Sequence, residues 1–216
     1  MEALRILLYP LTGSLGMAFD LISSTFSNNP FLVILLFSTL ISLILKPIQK
    51  PLRKIEERTT KTIKLIENEY NRLSKGMNSE EQFLLRDSLY KKHSYNPFHS
   101  IKQAISFFAL IPFLISVIII FQDSEYIKIS NAFGISLNNP DGLLFGFNLF
   151  PIIMFLSTYL DSKFRYANDQ ASQGRFLVIS IVLFFLVYSL PSALIIFWIF
   201  MNFINMGLFY LKNENL

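Results

Sequence analysis

KPIQKPLRKIEERTTKTIK, residues 46–64, opens the stretch that decides the fold. This polar segment continues to residue 102 and holds 20 of the chain's 34 charged residues, of which 13 are Lys or Arg and 7 are Asp or Glu. Runs without a charged side chain lie on both sides of it, each about 15 to 20 residues long, the length that a helix needs to cross the hydrocarbon core of a bilayer. The segment is therefore predicted to be a loop between membrane spans.

The composition excludes a water-soluble domain. The 216 residues are 52% hydrophobic and 16% charged, with 23 Phe and a mean hydropathy of +0.46, too much apolar surface for one core in water. The absence of cysteine excludes disulfides, thiolate chemistry and a lipid-modified cysteine anchor. The net charge of +4 comes from basic residues beside the spans, where they face anionic lipid headgroups, so no nucleic-acid recognition is expected.

The apolar runs predict an all-α polytopic membrane protein with five transmembrane helices. A turn signal, Asn139-Pro140-Asp141-Gly142, interrupts the polar connector between the second and third runs, and Leu190-Pro191 marks a tight turn between the last two. A core of residues 30–211 is thus expected, followed by a short tail, residues 212–216. The five predicted spans cover residues 30–45, 103–121, 143–160, 176–190 and 192–211.

The distribution of basic residues predicts the orientation. If residues 46–102 are cytoplasmic, 17 of the 19 Lys and Arg residues lie on that side, and only Arg5 and Lys128 lie outside. Because basic loops are retained in the cytoplasm, the N-terminus is expected outside and the C-terminus inside. Residues 1–29 mix apolar and polar positions as an amphipathic interfacial helix does, with a frayed terminus as the alternative.

Residues 46–102 themselves are predicted to form an antiparallel helical hairpin. Apolar residues recur at helical spacing, Gly76-Met77-Asn78 interrupts them, and Ser79 with Gln82 is interpreted as a capping box that opens the second helix. A solvated linker without a function of its own is the alternative. The basic side chains expected to dock partners are Arg53, Lys54, Arg58, Lys61, Lys64, Lys91 and Lys92.

Polar residues within the spans concentrate towards the cytoplasmic side, which predicts a polar groove open to the cytoplasm and the inner leaflet. For any single Ser or Thr, helix packing or a bond to its own backbone is the alternative. Lys46 follows Ser38 and Ser42 on one helical stripe, and it either enters this groove or extends to cytoplasmic water. The predicted groove residues are Ser38, Ser42, Lys46, Gln103, Ser106, Ser157, Trp198, Asn202 and Asn205.

Four motifs, in order and at matching topology, resemble the YidC family of membrane-protein insertases. The resemblance covers nearly the whole chain, in a short and divergent form. The motifs are LISLILKP at 40–47, YKKHSYNP at 90–97, ISLNNPD at 135–141 and LPSALIIFWIFMN at 190–202.

This resemblance implies an insertase of the bacterial cytoplasmic membrane. A hydrophilic groove, closed towards the outside, would take in polar parts of a nascent membrane protein while its apolar part slides into lipid, without a cofactor, a metal or an enzymatic reaction. Nascent membrane proteins and membrane lipids are the implied partners, with the ribosome and the Sec translocon as further candidates. The family usually carries an arginine in the groove of the first span, and here that position holds Ser42.

Three other functions are alternatives to an insertase. A specialised assembly factor without general insertase activity is favoured by the missing arginine. A small transporter or channel subunit lacks a buried acid or base for ion coupling. An intramembrane hydrolase lacks a cysteine nucleophile and a serine with a base, and the spacing of His93 and His99 does not suit a metal site.

Overall fold

A computed structural model describes residues 2–96, 105–132, 134–143, 145–165 and 170–213. These residues form two compact units, Met1–Ile44 with Pro112–Leu216, and Leu45–Ile111. The elements are α1 (Glu2–Thr25), α2 (Pro30–Leu73), α3 (Ser79–Lys92), α4 (Ile105–Asp123), α5 (Glu125–Ile129), β1 (Asn131–Ala132), β2 (Ile135–Ser136), α6 (Leu149–Arg165), α7 (Gln170–Val187) and α8 (Ser192–Asn213).

Helices dominate the described chain, as predicted, and several are apolar enough for a membrane. Two stretches have both the length and the composition of a span, Arg5–Thr25 in α1 and Pro30–Leu52 in α2, with mean hydropathies of 1.4 and 2.4. Ala109–Asp123 and Ser192–Leu208 are shorter apolar helices. The number of five spans stays a prediction, as do the domain boundaries at residues 29 and 211.

The first apolar helix does not end at Lys46-Pro47, where the sequence predicted the end of the first span. Helix α2 continues through Pro47 and Pro51 as far as Leu73. Each proline lacks an N–H group, so the carbonyls of Leu43 and Pro47 lose their intrahelical donors. Because the two prolines are four residues apart, both losses fall on one face, and the hydrogen bonds of the opposite face continue through the segment.

Helix α6 begins at Leu149, six residues after the predicted start of the third span. The Asp141 carboxylate accepts hydrogen bonds from the backbone N–H groups of Leu149 (2.6 Å) and Phe150 (3.3 Å), and this fixes the first turn. The preceding loop has positive φ values at Gly142, Phe145 and Gly146, which a helix does not allow.

The start of α7 and the structure of the connector between α4 and α6 also differ from the prediction. Helix α7 starts at Gln170, six residues before the predicted fourth span, since the flanking residues lengthen the helix. The polar connector contains α5 and a small antiparallel pairing of β1 with β2, neither of which was predicted. Ser124 caps α5 by accepting a bond from the Ile127 N–H.

Four buried phenylalanines form an aromatic cluster in the first unit. Phe19 of α1 lies 5.1 Å from Phe37 of α2, and both Phe37 and Phe121 of α4 lie 6.0 Å from Phe197 of α8, measured between ring centroids. Such edge-on and tilted pairs each add about 0.5–1.5 kcal/mol beyond the burial of their area. The cluster therefore ties α1, α2, α4 and α8 together.

The second unit contains the helical hairpin of α2 and α3. The cap of α3 is one residue earlier than predicted: Asn78, not Ser79, accepts from the Glu81 N–H, and the Glu81 carboxylate accepts from the Asn78 N–H. Asn78 has the extended backbone that an N-cap requires, whereas Ser79 is already helical. Across the hairpin, Arg86 stacks over the Tyr70 ring at 4.5 Å.

Candidate functional site

Two serines of α2 lie in its contact with α8. The Ser38 hydroxyl donates to the Ile34 carbonyl of its own helix (2.7 Å) and lies 3.3 Å from the Phe197 carbonyl of α8. One turn later, the Ser42 hydroxyl lies 3.0 Å from the Met201 sulfur. Both serines are buried. Their small side chains let the two helices approach closely, as small residues do in membrane helix pairs.

A second polar contact joins α8 to α6. The Asn202 side-chain amide donates to the hydroxyls of Ser157 and Thr158, each at 2.9 Å. Both hydroxyls donate in turn to the Met154 carbonyl, each at 2.8 Å. Asn202 and Ser157 are buried and Thr158 is half-buried, so this network is satisfied inside the protein.

These two contacts meet on α8 and together form what we call the polar strip: Ser38, Ser42, Ser157, Thr158 and Asn202. The structure thus brings together four of the predicted groove residues, and it adds Thr158. Thr158 follows Ser157 directly in α6, and the sequence places both among the polar residues towards the cytoplasmic side. In this structure the polar strip is packed between helices, which matches the packing interpretation of single hydroxyls. A groove requires α8 to separate from α2 or α6.

An apolar cavity of about 90 Å³ lies beside the polar strip. Trp198, a predicted groove residue, lines it together with Met154, which carries the acceptor carbonyl of the strip. Cavities with apolar walls stay dry and leave their lining atoms without part of their van der Waals contacts. The bundle is therefore incompletely packed next to α8. The remaining lining residues come from α4, α7, α8 and the α7–α8 turn: Leu114, Val117, Ile118, Val187, Leu190, Leu194, Ile195 and Phe197.

The other predicted groove residues lie apart from the strip or outside the description. Asn205 is half-buried, and its side chain has no hydrogen-bond partner among the described residues. Lys46 is exposed and belongs to the second unit. Gln103 lies outside the described residues, and Ser106 lies in α4 but its side chain is outside the description.

The connector between α4 and α6 packs against the start of α8, and the sequence did not predict this contact. The Asn139 carbonyl accepts from both the N–H (2.9 Å) and the hydroxyl (2.6 Å) of Ser192, and the Leu137 carbonyl accepts from the Ala193 N–H (3.0 Å). Asn148, before α6, donates through its side-chain amide to the Tyr188 carbonyl at 2.7 Å. These bonds close the first unit at the α7–α8 turn. The residues that form this contact belong to two of the motifs noted in the sequence, ISLNNPD and LPSALIIFWIFMN.

The predicted docking cations of the hairpin are mostly exposed. Lys91 pairs with Asp87 at 2.6 Å and Lys92 with Glu69 at 2.7 Å, and the latter pair links α3 to α2. Among the predicted cations, the side chain of Arg53 lies outside the description, and the exposed members are Lys54, Arg58, Lys61, Lys64, Lys91 and Lys92.

Glu69 of α2 makes electrostatic contacts with the C-terminal end of α3. The hydrogen bond from Lys92 lowers the pKa of the Glu69 carboxyl below its ordinary value, and His93 acts in the same direction. The His93 Nε2 atom lies 3.4 Å from the other Glu69 oxygen. No group of three His, Asp or Glu side chains among the described residues could hold a metal ion.

The apolar helices, the basic hairpin and the polar strip define a helical membrane protein. Residues 21–216 match the profile of the family described as 60Kd inner membrane protein. The chain therefore belongs to this family, that of the YidC membrane-protein insertases.

Curated relatives and a solved structure agree with this membership. The chain is 25% identical to "Membrane protein insertase YidC 2" of Listeria innocua, over 83% of this chain and 62% of the relative. It is also 25% identical to "Membrane protein insertase YidC" of Enterococcus faecalis, over 84% and 66%. The chain thus spans less than two thirds of the length of either relative. The structure titled "Active YidC insertase crystal structure with the first transmembrane domain resolved" is similar in fold, with a TM-score of 0.58 and 17% identity over 95% of this chain and 46% of that one.

Proposed function

We propose that this chain is an insertase and chaperone for nascent membrane proteins in the bacterial cytoplasmic membrane. The observation that carries the proposal is the polar strip, a set of hydroxyl and amide groups buried between α2, α6 and α8. We place the N-terminus outside and the C-terminus in the cytoplasm, with five spans and α1 in the headgroup region, since this puts the basic hairpin inside.

The strip would act by exchanging hydrogen-bond partners. An unpaired polar group costs several kcal/mol in hydrocarbon, and this cost opposes the passage of a polar segment. When α8 separates from α2 or α6, the hydroxyls of Ser42 and Thr158 and the amide of Asn202 become free to bond that segment. Interhelical hydrogen bonds in membranes average only about 0.6 kcal/mol, so the strip gives up little when it exchanges its internal partners for external ones.

The closed end of the first unit supports a one-sided opening. Asn139 and Leu137 bind the first turn of α8 through backbone carbonyls, and these bonds need no particular side chain at the acceptor. In the proposed orientation this end faces outside. Polar segments would therefore enter from the cytoplasmic side and not leak through to the other.

The hairpin would recruit partners on the cytoplasmic side. Exposed lysines and arginines attract anionic surfaces at long range, such as lipid headgroups or the phosphates of a ribosome. Ribosome and Sec translocon are accordingly proposed partners, next to the nascent chain and lipids. A specialised assembly factor is the second candidate, because Ser42 stands where the resemblance implies an arginine.

Complementation tests the function. In a bacterial strain depleted of its own insertase, this chain is expected to restore growth and the insertion of a single-span reporter, scored by protease access to the reporter's outer segment. Growth without reporter insertion would favour the assembly factor. Failure of both, with the protein present in the membrane at normal amounts, would contradict the insertase.

A further inference from the structure

The loop before α6 exposes large apolar side chains. Residues 143–147, which we call the LLFGF loop, present Leu143 at 46%, Phe147 at 64% and Phe145 at 100% exposure. Leu144 lies outside the described residues. A fully exposed phenylalanine between two other exposed apolar residues gains nothing from the interior of the protein.

Helix formation does not explain this apolar sequence. The uncharged run of residues 143–160 has the length of a span, but α6 begins only at Leu149, and Asp161 ends the apolar part. The helical portion, residues 149–160, covers about 18 Å at 1.5 Å per residue, against a hydrocarbon core of about 30 Å. The apolar part of α6 is therefore shorter than the hydrocarbon core. The LLFGF loop adds apolar residues at the N-terminal end of this helix.

The backbone of the loop holds Phe145 in an unfavourable conformation. Its φ is +51°, a left-handed value that costs a residue with a side chain about 1–2 kcal/mol. Gly142 and Gly146 have φ values of +53° and +91°, which glycine adopts without that cost. The Phe145 ring is fully exposed, so no packing against the described residues offsets this strain.

The base of the loop is tied down on both sides. The Gly142 N–H donates to the Asn148 side-chain oxygen at 3.0 Å, and the Asn148 N–H donates to the Tyr188 hydroxyl at 3.2 Å. Asp141 accepts from the first N–H groups of α6, as described above. The loop is thus an apolar tip on a fixed base, next to the α7–α8 turn.

We propose that the LLFGF loop inserts into the headgroup and upper acyl region of the lipid bilayer and anchors the N-terminal end of α6 there. Lipid is the occupant because the last turn of α7 exposes Phe185 (73%) and Leu186 (69%), only two to three residues before Tyr188, which binds the base of the loop. Phe185 and Leu186 share their face of α7 with other exposed apolar residues, Val178, Ile181 and Val182. Phe and Leu side chains are typical of the apolar face of segments that lie at the boundary between headgroups and acyl chains.

The irregular backbone sets a limit to the depth. Unpaired N–H and C=O groups of a lipid-exposed loop are not tolerated inside the hydrocarbon core, so the tip lies where water still reaches the backbone. In the proposed orientation this is the outer leaflet. The anchor itself requires neither that orientation nor insertase activity.

A spin label tests the proposal directly, because the chain contains no cysteine. In the variant Phe145→Cys, labelled with a nitroxide and reconstituted into phosphatidylethanolamine and phosphatidylglycerol vesicles, we expect the label to collide severalfold more with oxygen, which dissolves in lipid, than with a water-soluble nickel chelate. The matched control is Asn138→Cys on the same connector, exposed and polar, where the chelate should dominate. Equal water access at both positions would overturn the proposal.

A second measurement separates lipid from a protein partner. With the label at Leu143→Cys, adding Phe145→Asp should increase the collisions of the label with the water-soluble nickel chelate. Adding Phe145→Leu should leave the depth of the label unchanged. A label that is shielded in native membranes but open to water in pure vesicles would assign the loop to a partner protein and contradict lipid anchoring. An unchanged depth of the label in the Phe145→Asp variant would also contradict lipid anchoring.

Discussion

Asn202 connects α8 to α6 through a single amide group that reaches two hydroxyls. In Asn202→Leu both bonds are lost at nearly constant volume, and we expect the free energy of unfolding in bicelles to fall by about 0.6 kcal/mol per bond. Reporter insertion should fall as well, since the strip loses its amide. Asn205→Leu is the matched control, because the Asn205 side chain has no hydrogen-bond partner among the described residues. Equal insertion losses in both variants would contradict the role of Asn202.

Lys46 is exposed, one turn after Ser42 in α2. If its ammonium group replaces the arginine of the family, Lys46→Ala should weaken the insertion of reporters with acidic outer segments more than that of neutral ones. The ratio of the two insertion yields measures this. An equal loss of insertion for both reporters would contradict this role and would indicate that Lys46 lies only at the membrane border.

At the scale of elements, Glu69 gives the hairpin a pH dependence. Because its pKa is lowered in the folded hairpin, this contribution to stability is present above the ordinary pKa of Glu, about 4.3, and is lost as the pH falls through the lowered value. Spin labels at Asn68 and Ser88, both exposed, should show a narrow distance distribution at pH 6 and a broad one in strong acid.

Two variants check the source of this effect. Glu69→Gln should broaden the distribution already at pH 6, because the amide cannot form the ion pair with Lys92. Glu67→Gln removes an acid from the same helix without touching that pair and should behave like the unmodified chain. A distribution that stays narrow in Glu69→Gln would show that apolar contacts alone hold the hairpin.

The helices could be predicted from the sequence, but their ends could not. Hydrophobic length predicted a third span from residue 143, yet Asp141 reaches over the loop to cap Leu149, and a contact between residues eight apart is invisible to periodicity. Pro47 indicated a helix end because a single proline breaks a free helix. In α2 the second proline, Pro51, falls on the same face, and the helix continues.

For the candidate site, the sequence indicated four residues that lie together in the fold, but not the partners to which they bond. The bias of small polar residues towards one side indicated Ser38, Ser42, Ser157 and Asn202, which lie in the contacts of α8 with α2 and α6. It could not indicate that these groups would be bonded to one another, since this depends on the rotation of each helix. Trp198, on the same predicted face, lines the apolar cavity instead.

At the scale of the whole molecule, the proposed mechanism requires α8 to move. Ser42 is buried between α2 and α8. In the variant Ser42→Cys, a water-soluble maleimide applied from the cytoplasmic side should therefore modify the cysteine slowly. The modification should become faster when a ribosome-bound membrane segment is arrested at the protein. Ser116→Cys in α4, equally buried, is the control and should stay unreactive. Silence at Ser42→Cys with the arrested segment would argue against a groove.

Reconstitution of the purified chain shows whether it inserts a membrane protein without any other factor. Vesicles that contain the protein receive a single-span reporter synthesised without other membrane factors, and protease added outside shows which part of the reporter has crossed the bilayer. We expect a protected fragment well above the level of protein-free vesicles, with a reduced yield for Asn202→Leu but not for Asn205→Leu. A yield equal to that of protein-free vesicles would contradict the proposal that this chain is an insertase.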